Sequence, residues 1–166
     1  MDNKVVHTLA RGFLAAGVIA VRFNFRGVGD SEGTHGDGEE EQGDALAVAA
    51  WMRDRWPELP LYLGGFSFGA MVALTALARL APDALVTVAP PVQRMDTLAE
   101  QPSCPWLVIQ GDEDEIVDVE GVIAWLNALE PGPELRLMSG VDHFFHGRLT
   151  ELRDNVTEFL ADNMLP

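Results

Sequence analysis

The sequence predicts an α/β protein with a parallel sheet of about five strands between two layers of helices. Short apolar runs of strand type alternate with longer amphipathic segments of helix type along nearly the whole chain. The apolar runs are almost continuous, which is typical of parallel strands buried on both faces. Because 166 residues suit one domain with one core, we expect a single domain over residues 1–166.

The chain begins with a predicted helix that ends at Gly17. Asn3 or Asp2 has a side chain suited to an N-cap. The apolar face of this helix repeats every three or four residues and consists of Val5, Leu9, Phe13 and Ala16. A predicted strand over residues 18–25 follows, and a glycine-rich loop then extends to Gly38.

Helices and strands alternate over the rest of the chain. The predicted strands are residues 60–66, 84–89, 105–110 and 134–138. The predicted helices are residues 39–56, 68–80, 118–129 and a last one over 149–160. Residues 90–104 form a connector with one short helix near 94–100, too short for an independent cap domain.

The three glutamates 39–41 fall in the first turn of the second helix, where carboxylates suit the helix dipole. We interpret them as a solvated helix start rather than a metal site, and we expect no metal and no cofactor.

Charge and composition narrow the classes of partner. The net charge is −15, from 11 basic and 26 acidic residues. Nucleic acids and anionic membranes both reward clustered Lys and Arg, so neither is an expected partner. The longest apolar stretch, residues 12–21, is too short to span a bilayer, and the N-terminus is not a basic leader. With the single cysteine Cys104, these features predict a cytoplasmic protein.

One pentapeptide, Gly65-Phe66-Ser67-Phe68-Gly69, stands where a predicted strand runs into a predicted helix. It fits G-x-S-x-G, the nucleophile elbow. On so sharp a turn the serine is strained and its hydroxyl projects from the top of the sheet. Side chains two residues before and after it would collide, so we expect both glycines to be required. The alternative is a surface serine on a glycine-rich turn.

Reactive groups follow three of the predicted strands, at the edge where sites form in parallel sheets. Ser67 follows the second strand, an acidic cluster over residues 112–115 follows the fourth, and His143 follows the fifth. Serine, acid and histidine in this chain order match the α/β-hydrolase arrangement and no other serine-hydrolase fold.

With these motifs the sequence resembles the small, cap-less bacterial α/β-hydrolases related to dienelactone hydrolase. The resemblance covers nearly the whole chain. The stretches that carry it are residues 22–29 (RFNFRGVG), 65–69 (GFSFG), 107–114 (LVIQGDED) and 142–147 (DHFFHG).

This resemblance implies a carboxylesterase-like serine hydrolase that acts on small esters. Ser67 would be the nucleophile, His143 the general base and Asp114 the catalytic acid residue that orients it. The backbone N–H of Phe68 would be one oxyanion donor. Side chains expected to wall a shallow substrate site are Phe66, Phe68 and Phe144.

Some alternatives stay open at this point. Asp112 or Glu113 is an alternative to Asp114, and His146 is an alternative to His143. The D-x-D of residues 112–114 resembles that of magnesium-dependent phosphatases, but those enzymes place it on the first strand and use a later lysine. The alternative function is a weakly active or inactive scaffold or binding protein with this fold.

The resemblance also implies two or three strands before the first helix that these 166 residues do not include. One of them normally lies between the strands that match residues 18–25 and 60–66, and the loop after it supplies the second oxyanion donor. Three outcomes are open: a misassigned or trimmed start, direct closure of these two strands, or a strand supplied by another chain. We expect the strand over 18–25 to pair directly with that over 60–66, with an exposed edge that promotes homodimers and weak activity.

Overall fold

The computed structural model describes residues 2–95 and 101–163. Within them, four parallel strands form one sheet in the order β1-β2-β3-β4, so each strand lies beside its predecessor in the chain. The strands are β1 Tyr62–Phe66, β2 Ala84–Val88, β3 Trp106–Gly111 and β4 Glu134–Met138. The register pairs Phe66 with Val88, Val88 with Ile109 and Gly111 with Met138. The carboxyl ends of the strands are therefore aligned at one edge of the sheet.

Helices cover both faces of this sheet, as expected from the sequence. They are α1 Lys4–Ala15, α2 Glu39–Arg55, α3 Phe68–Thr75, α4 Leu77–Leu80, α5 Val119–Asn127 and α6 Leu149–Asn163. Helices α1 and α6 pack on one face, where the core includes Phe13, Val86 and Phe159. Helices α3, α4 and α5 pack on the other, where the core includes Leu74, Val108 and Val122. Helix α2 packs outside α3.

The predicted strand over residues 18–25 is wrong, and the sheet has four strands rather than about five. No backbone ladder joins this segment to β1 in the described part of the chain, so the expected direct pairing is also wrong. Side-chain packing against two parts of the hydrophobic core holds the segment instead. Val18 and Ala20 pack against the core of α1 and α6, whereas Phe23 and Phe25 pack against that of α2 and α3.

Among residues 2–95 and 101–163, β2 is the one strand that pairs with β1, and Gly64 of β1 is exposed. Homodimer formation through the β1 edge of the sheet stays a prediction.

Local rules explain the helix boundaries. The Asn3 side chain caps α1 by accepting hydrogen bonds from the N–H groups of Val5 and Val6, at 2.9 and 3.1 Å. The predicted helix over 68–80 is divided in two, because the Thr75 hydroxyl bonds back to the Met71 carbonyl at 2.9 Å and the helix is interrupted at Ala76.

The connector between β2 and β3 contains a 3₁₀ turn at Val92–Arg94. Most of the short helix expected over 94–100 lies outside the described residues. No helix within residues 2–95 and 101–163 is both long enough and apolar enough to cross a membrane.

Candidate functional site

Ser67 stands at the sharp turn between β1 and α3. Its φ of 50° and ψ of −115° are strained angles for a residue with a Cβ atom. The turn is held by the Ser67 N–H, which donates to the Val88 carbonyl at 2.8 Å. The strand-to-helix geometry predicted for the elbow is therefore present.

The two glycines of the elbow differ in the space available for a side chain. A Cβ on Gly65 would lie 2.6 Å from the Ala70 nitrogen and would also clash with the Gly69 carbonyl, so a side chain cannot fit there. A Cβ on Gly69 would meet nothing within 4 Å outside its own helix. The expectation that both positions must be small holds for Gly65 and is wrong for Gly69, whose Cβ would point away from the turn.

The Asp114 side chain is fully buried on the loop after β3. Its Oδ1 accepts from the N–H groups of Ile116 and Val117, at 2.9 and 2.8 Å. Its Oδ2 accepts from His143 Nδ1 at 2.8 Å and from Gln110 Nε2 at 2.9 Å. Burial raises the pKa of Asp114, but these hydrogen bonds outweigh it and hold the pKa below its usual value.

His143 links this carboxylate to the serine. Its Nε2 lies 3.1 Å from Ser67 Oγ, and only 2% of the residue is exposed. The Phe66 ring packs 4.9 Å from the imidazole and the Phe144 ring lies edge-on at 5.1 Å. The next residue, Phe145, is fully buried with a φ of 56° and anchors the loop.

The acid loop and the histidine loop are joined by hydrogen bonds that do not involve the triad side chains. Asp112 Oδ1 accepts from the Gly140 N–H at 2.6 Å, and Glu115 Oε2 accepts from the His143 N–H at 3.2 Å. The Glu113 N–H donates to the Val141 carbonyl at 3.1 Å. The backbone of Gly111 lies so close to Val141 that a Cβ there would clash with its carbonyl. The two loops are therefore fixed relative to each other.

The alternatives raised by the sequence lie elsewhere. Asp112 accepts a hydrogen bond from the Gly140 N–H. This bond and one with the Ser139 side chain lower the pKa of Asp112. The exposed His146 pairs with Asp142 at 2.6 Å, and hydrogen bonds from His146 lower the pKa of that aspartate. Neither Asp112 nor His146 contacts Ser67 or His143 through its side chain in the described residues.

The predicted substrate side chains are only partly at the surface. Phe144 is 41% exposed at the rim of the site, whereas Phe66 is 7% exposed and lies beneath His143. The Phe68 ring packs against Phe25 at 5.6 Å and against His35 at 4.8 Å. Phe144 is thus the aromatic side chain of the three with the most area for a ligand.

The reading of residues 39–41 as a solvated helix start is wrong for Glu41, which is fully buried. Its carboxylate accepts from the N–H groups of Gly36 and Gly38, at 2.6 and 3.0 Å, and lies 3.1 Å from His35 Nδ1. Burial raises the pKa of Glu41, and these backbone donors outweigh it and lower the pKa. Glu41 lies three residues after the N-cap Gly38 and accepts from its N–H, which is one half of a capping box. Glycine has no side chain to form the other half, so the sequence carries no capping-box signature here.

The described residues contain no group of three or more His, Cys, Asp or Glu side chains arranged to hold a metal ion. The carboxylates of the acidic cluster point to different partners rather than to one centre.

Residues 3–99 match the family of serine aminopeptidases, S33, over more than half of the chain. The chain belongs to this family. A solved α/β serine hydrolase without a lid from Xanthomonas campestris is 48% identical, with a TM-score of 0.95, and the match covers 98% of this chain and 74% of that one. An α/β serine hydrolase homologue from Coxiella burnetii is 44% identical, with a TM-score of 0.91, and the match covers 97% and 78%.

An uncharacterized protein of Rickettsia prowazekii is 31% identical, and the match covers 96% of this chain and 72% of that protein. Together these relatives confirm the expected resemblance to cap-less α/β-hydrolases and the fold class.

Proposed function

We propose that this protein is a carboxylesterase-like serine hydrolase that cleaves small carboxylic esters through an acyl-enzyme on Ser67. The observation that carries the proposal is the unbroken hydrogen-bond chain from Ser67 Oγ to His143 Nε2 at 3.1 Å and from His143 Nδ1 to Asp114 Oδ2 at 2.8 Å. A serine hydroxyl is a weak nucleophile alone, and an adjacent imidazole oriented by a carboxylate is the arrangement that activates it.

In the first step, Ser67 Oγ attacks the acyl carbon while its proton moves to His143 Nε2. Asp114 accepts a hydrogen bond from the Nδ1–H, stays ionised, and stabilises the imidazolium with its negative charge. The tetrahedral oxyanion then collapses, and the leaving alkoxide takes the proton from His143. In the second step water attacks the acyl carbon and gives a proton to His143 Nε2. The second tetrahedral intermediate then collapses, its bond to Ser67 Oγ breaks, and His143 returns the proton to Oγ, which releases the carboxylic acid and restores the Ser67 hydroxyl.

The developing oxyanion lies next to the start of α3. Phe68 is the first residue of that helix, so its N–H has no carbonyl partner within the helix and is free to donate to the oxyanion. The positive end of the helix dipole adds to this effect.

Leaving-group chemistry favours esters over amides as the proposed substrates. An alkoxide leaves more readily than an amine, so an ester needs less stabilisation of the tetrahedral intermediate by the one donor identified, the Phe68 N–H. We propose small-molecule esters with short acyl groups. Phe144 is exposed at the rim while Phe66 is buried, so we expect a shallow site that offers little apolar surface to a long acyl chain. A panel of p-nitrophenyl esters tests this, and faster turnover of palmitate than of acetate would contradict it.

The alternative is a scaffold or binding protein with the same fold. Turnover of p-nitrophenyl acetate separates the two. We expect Ser67→Ala to abolish turnover while the protein stays folded. Ser103→Ala, at an exposed position of the connector, should leave turnover unchanged. Turnover that survives Ser67→Ala would show that another group is the nucleophile.

A further inference from the structure

Gln110 is a buried polar residue near the end of β3 that the catalytic proposal does not use. It is fully buried, with an exposure of 0%. Its Nε2 donates to Asp114 Oδ2 at 2.9 Å and to the Gly111 carbonyl at 3.2 Å. Asp114 Oδ2 is also the oxygen that accepts from His143 Nδ1. Gln110 thus reaches the carboxylate atom that faces the histidine.

The other end of this amide is unsatisfied. Gln110 Oε1 is buried and has no hydrogen-bond partner among residues 2–95 and 101–163. A buried unpaired oxygen is costly, and a methionine would fill a similar volume without that cost. Reversing the amide would place Oε1 against the carboxylate of Asp114, so the orientation is fixed by charge. Packing alone does not explain glutamine here, whereas its N–H donor does.

We infer that Gln110 is a positioning residue, which holds the Asp114 carboxylate so that Oδ2 faces His143 Nδ1. The inference rests on the proposed function of the triad. Oδ1 is held by the two backbone donors of Ile116 and Val117, and Oδ2 is held by Gln110 on one side and His143 on the other. Among the donors found in residues 2–95 and 101–163, Gln110 and His143 are those that bond Oδ2, so without Gln110 the histidine would be the remaining donor to this oxygen.

The test compares variants by the rate at which a fluorophosphonate labels Ser67. Gln110→Met keeps the side-chain length and removes the donor, and we expect labelling and kcat to fall about tenfold with KM little changed. Gln93→Met is the matched control. The exposed Gln93 side chain contacts the carbonyl of Ile116 in the same loop, at 3.5 Å, but does not contact Asp114.

A second variant distinguishes the effect of losing the hydrogen-bond donor from the effect of a change in side-chain packing. In Gln110→Glu the introduced carboxyl can donate to Asp114 only while it is protonated, and it repels Asp114 when ionised. In the described residues, the titratable groups in the same chain of hydrogen bonds are Asp114 and His143, and Glu115 accepts from the His143 N–H. We therefore expect its labelling rate, relative to the original protein, to fall as the pH rises from about 5 to 8.

The inference is overturned if the fluorophosphonate labels Gln110→Met at a rate within twofold of that of the original protein. It is also overturned if the labelling rate of Gln110→Glu depends on pH in the same way as that of the original protein. If Gln110→Met does not fold, the profile of Gln110→Glu decides. Absence of labelling in the original protein would instead overturn the proposed function, and this inference with it.

Discussion

At the scale of single residues, backbone and hydrogen-bond geometry assign different tasks to chemically similar groups. Asp112 and Asp114 stand two residues apart in one loop. The first is exposed and accepts from a backbone N–H of the histidine loop, whereas the second is buried and accepts from the imidazole. His143 and His146 divide in the same way, one buried against Ser67 and one exposed. Residue type alone did not separate these pairs.

Replacing the buried acid tests this division. Asp114→Asn should lower kcat by about 10⁴-fold with little change in KM, because an amide cannot stabilise the imidazolium and favours the wrong tautomer. Asp112→Asn is the matched control, and we expect a loss below about tenfold since it weakens only the loop contact with Gly140. Turnover of p-nitrophenyl acetate measures both. A larger loss for Asp112→Asn would assign the acid to Asp112.

At the scale of elements, the elbow depends on close approach at one glycine. Gly65→Ala places a Cβ against the first turn of α3, and we expect it to lower the free energy of unfolding by about 1–3 kcal/mol and to reduce activity. Gly69→Ala meets open space and replaces glycine in a helix, so we expect it to be neutral or stabilising by up to about 1 kcal/mol. Urea unfolding of both variants measures this. Equal destabilisation would mean that the elbow constrains both positions alike.

Helices α1 and α6 make a second close approach. A Cβ on Gly12 would lie 2.7 and 2.8 Å from Cγ1 and Cβ of Val156. We expect Gly12→Ala to lower the melting temperature despite the better helix propensity of alanine. Adding Val156→Ala removes the Cγ1 contact but keeps the Cβ at 2.8 Å, so it relieves part of the clash and the double variant should lose somewhat less than the sum of the single losses. Additive losses would place the cause outside this contact.

Most elements could be predicted from the sequence, because each combines a periodic apolar pattern with a clear start or stop. Residues 18–25 have a strand pattern, but a pattern does not show whether a partner strand lies beside it. Here the side chains pack against the core and no backbone ladder forms in the described residues. Ser67, Asp114 and His143 could be placed because chain order and strand ends bring them together. Gln110 and Glu41 could not. Their hydrogen-bond partners lie within five residues along the chain, but residue pattern does not show that these two polar side chains turn inward and become buried.

At the scale of the whole molecule, charge governs the response to pH. Hydrogen bonds from Arg26 hold the pKa of Asp44 below its usual value, and backbone donors do so for Glu41. A carboxyl group whose pKa is lower in the folded state than in the unfolded state stabilises the fold. This stabilisation is complete above the unfolded pKa, near 4, and is lost as the pH falls through the folded pKa. We therefore expect the free energy of unfolding to decrease steadily as the pH falls below about 5.

Thermal unfolding between pH 7 and 3 measures this decrease. Asp44→Asn removes one contributing carboxylate and should make the decrease shallower, whereas Asp54→Asn, at an exposed position of the same helix, is the control for the loss of one charge. A melting temperature that rises continuously towards pH 3 would show that relief of the −15 net charge outweighs these carboxylates.

The most direct test of the account is the site at which a fluorophosphonate attaches. The reagent loses fluoride as a serine oxygen bonds to phosphorus, so it reports an activated hydroxyl without any assumption about the natural ester. Peptide mapping by mass spectrometry should find one adduct, on Ser67, and none on Ser31, Ser103 or Ser139. The adduct should be absent in Ser67→Ala. An adduct on another residue, or ester hydrolysis without any adduct on Ser67, would contradict the proposed nucleophile.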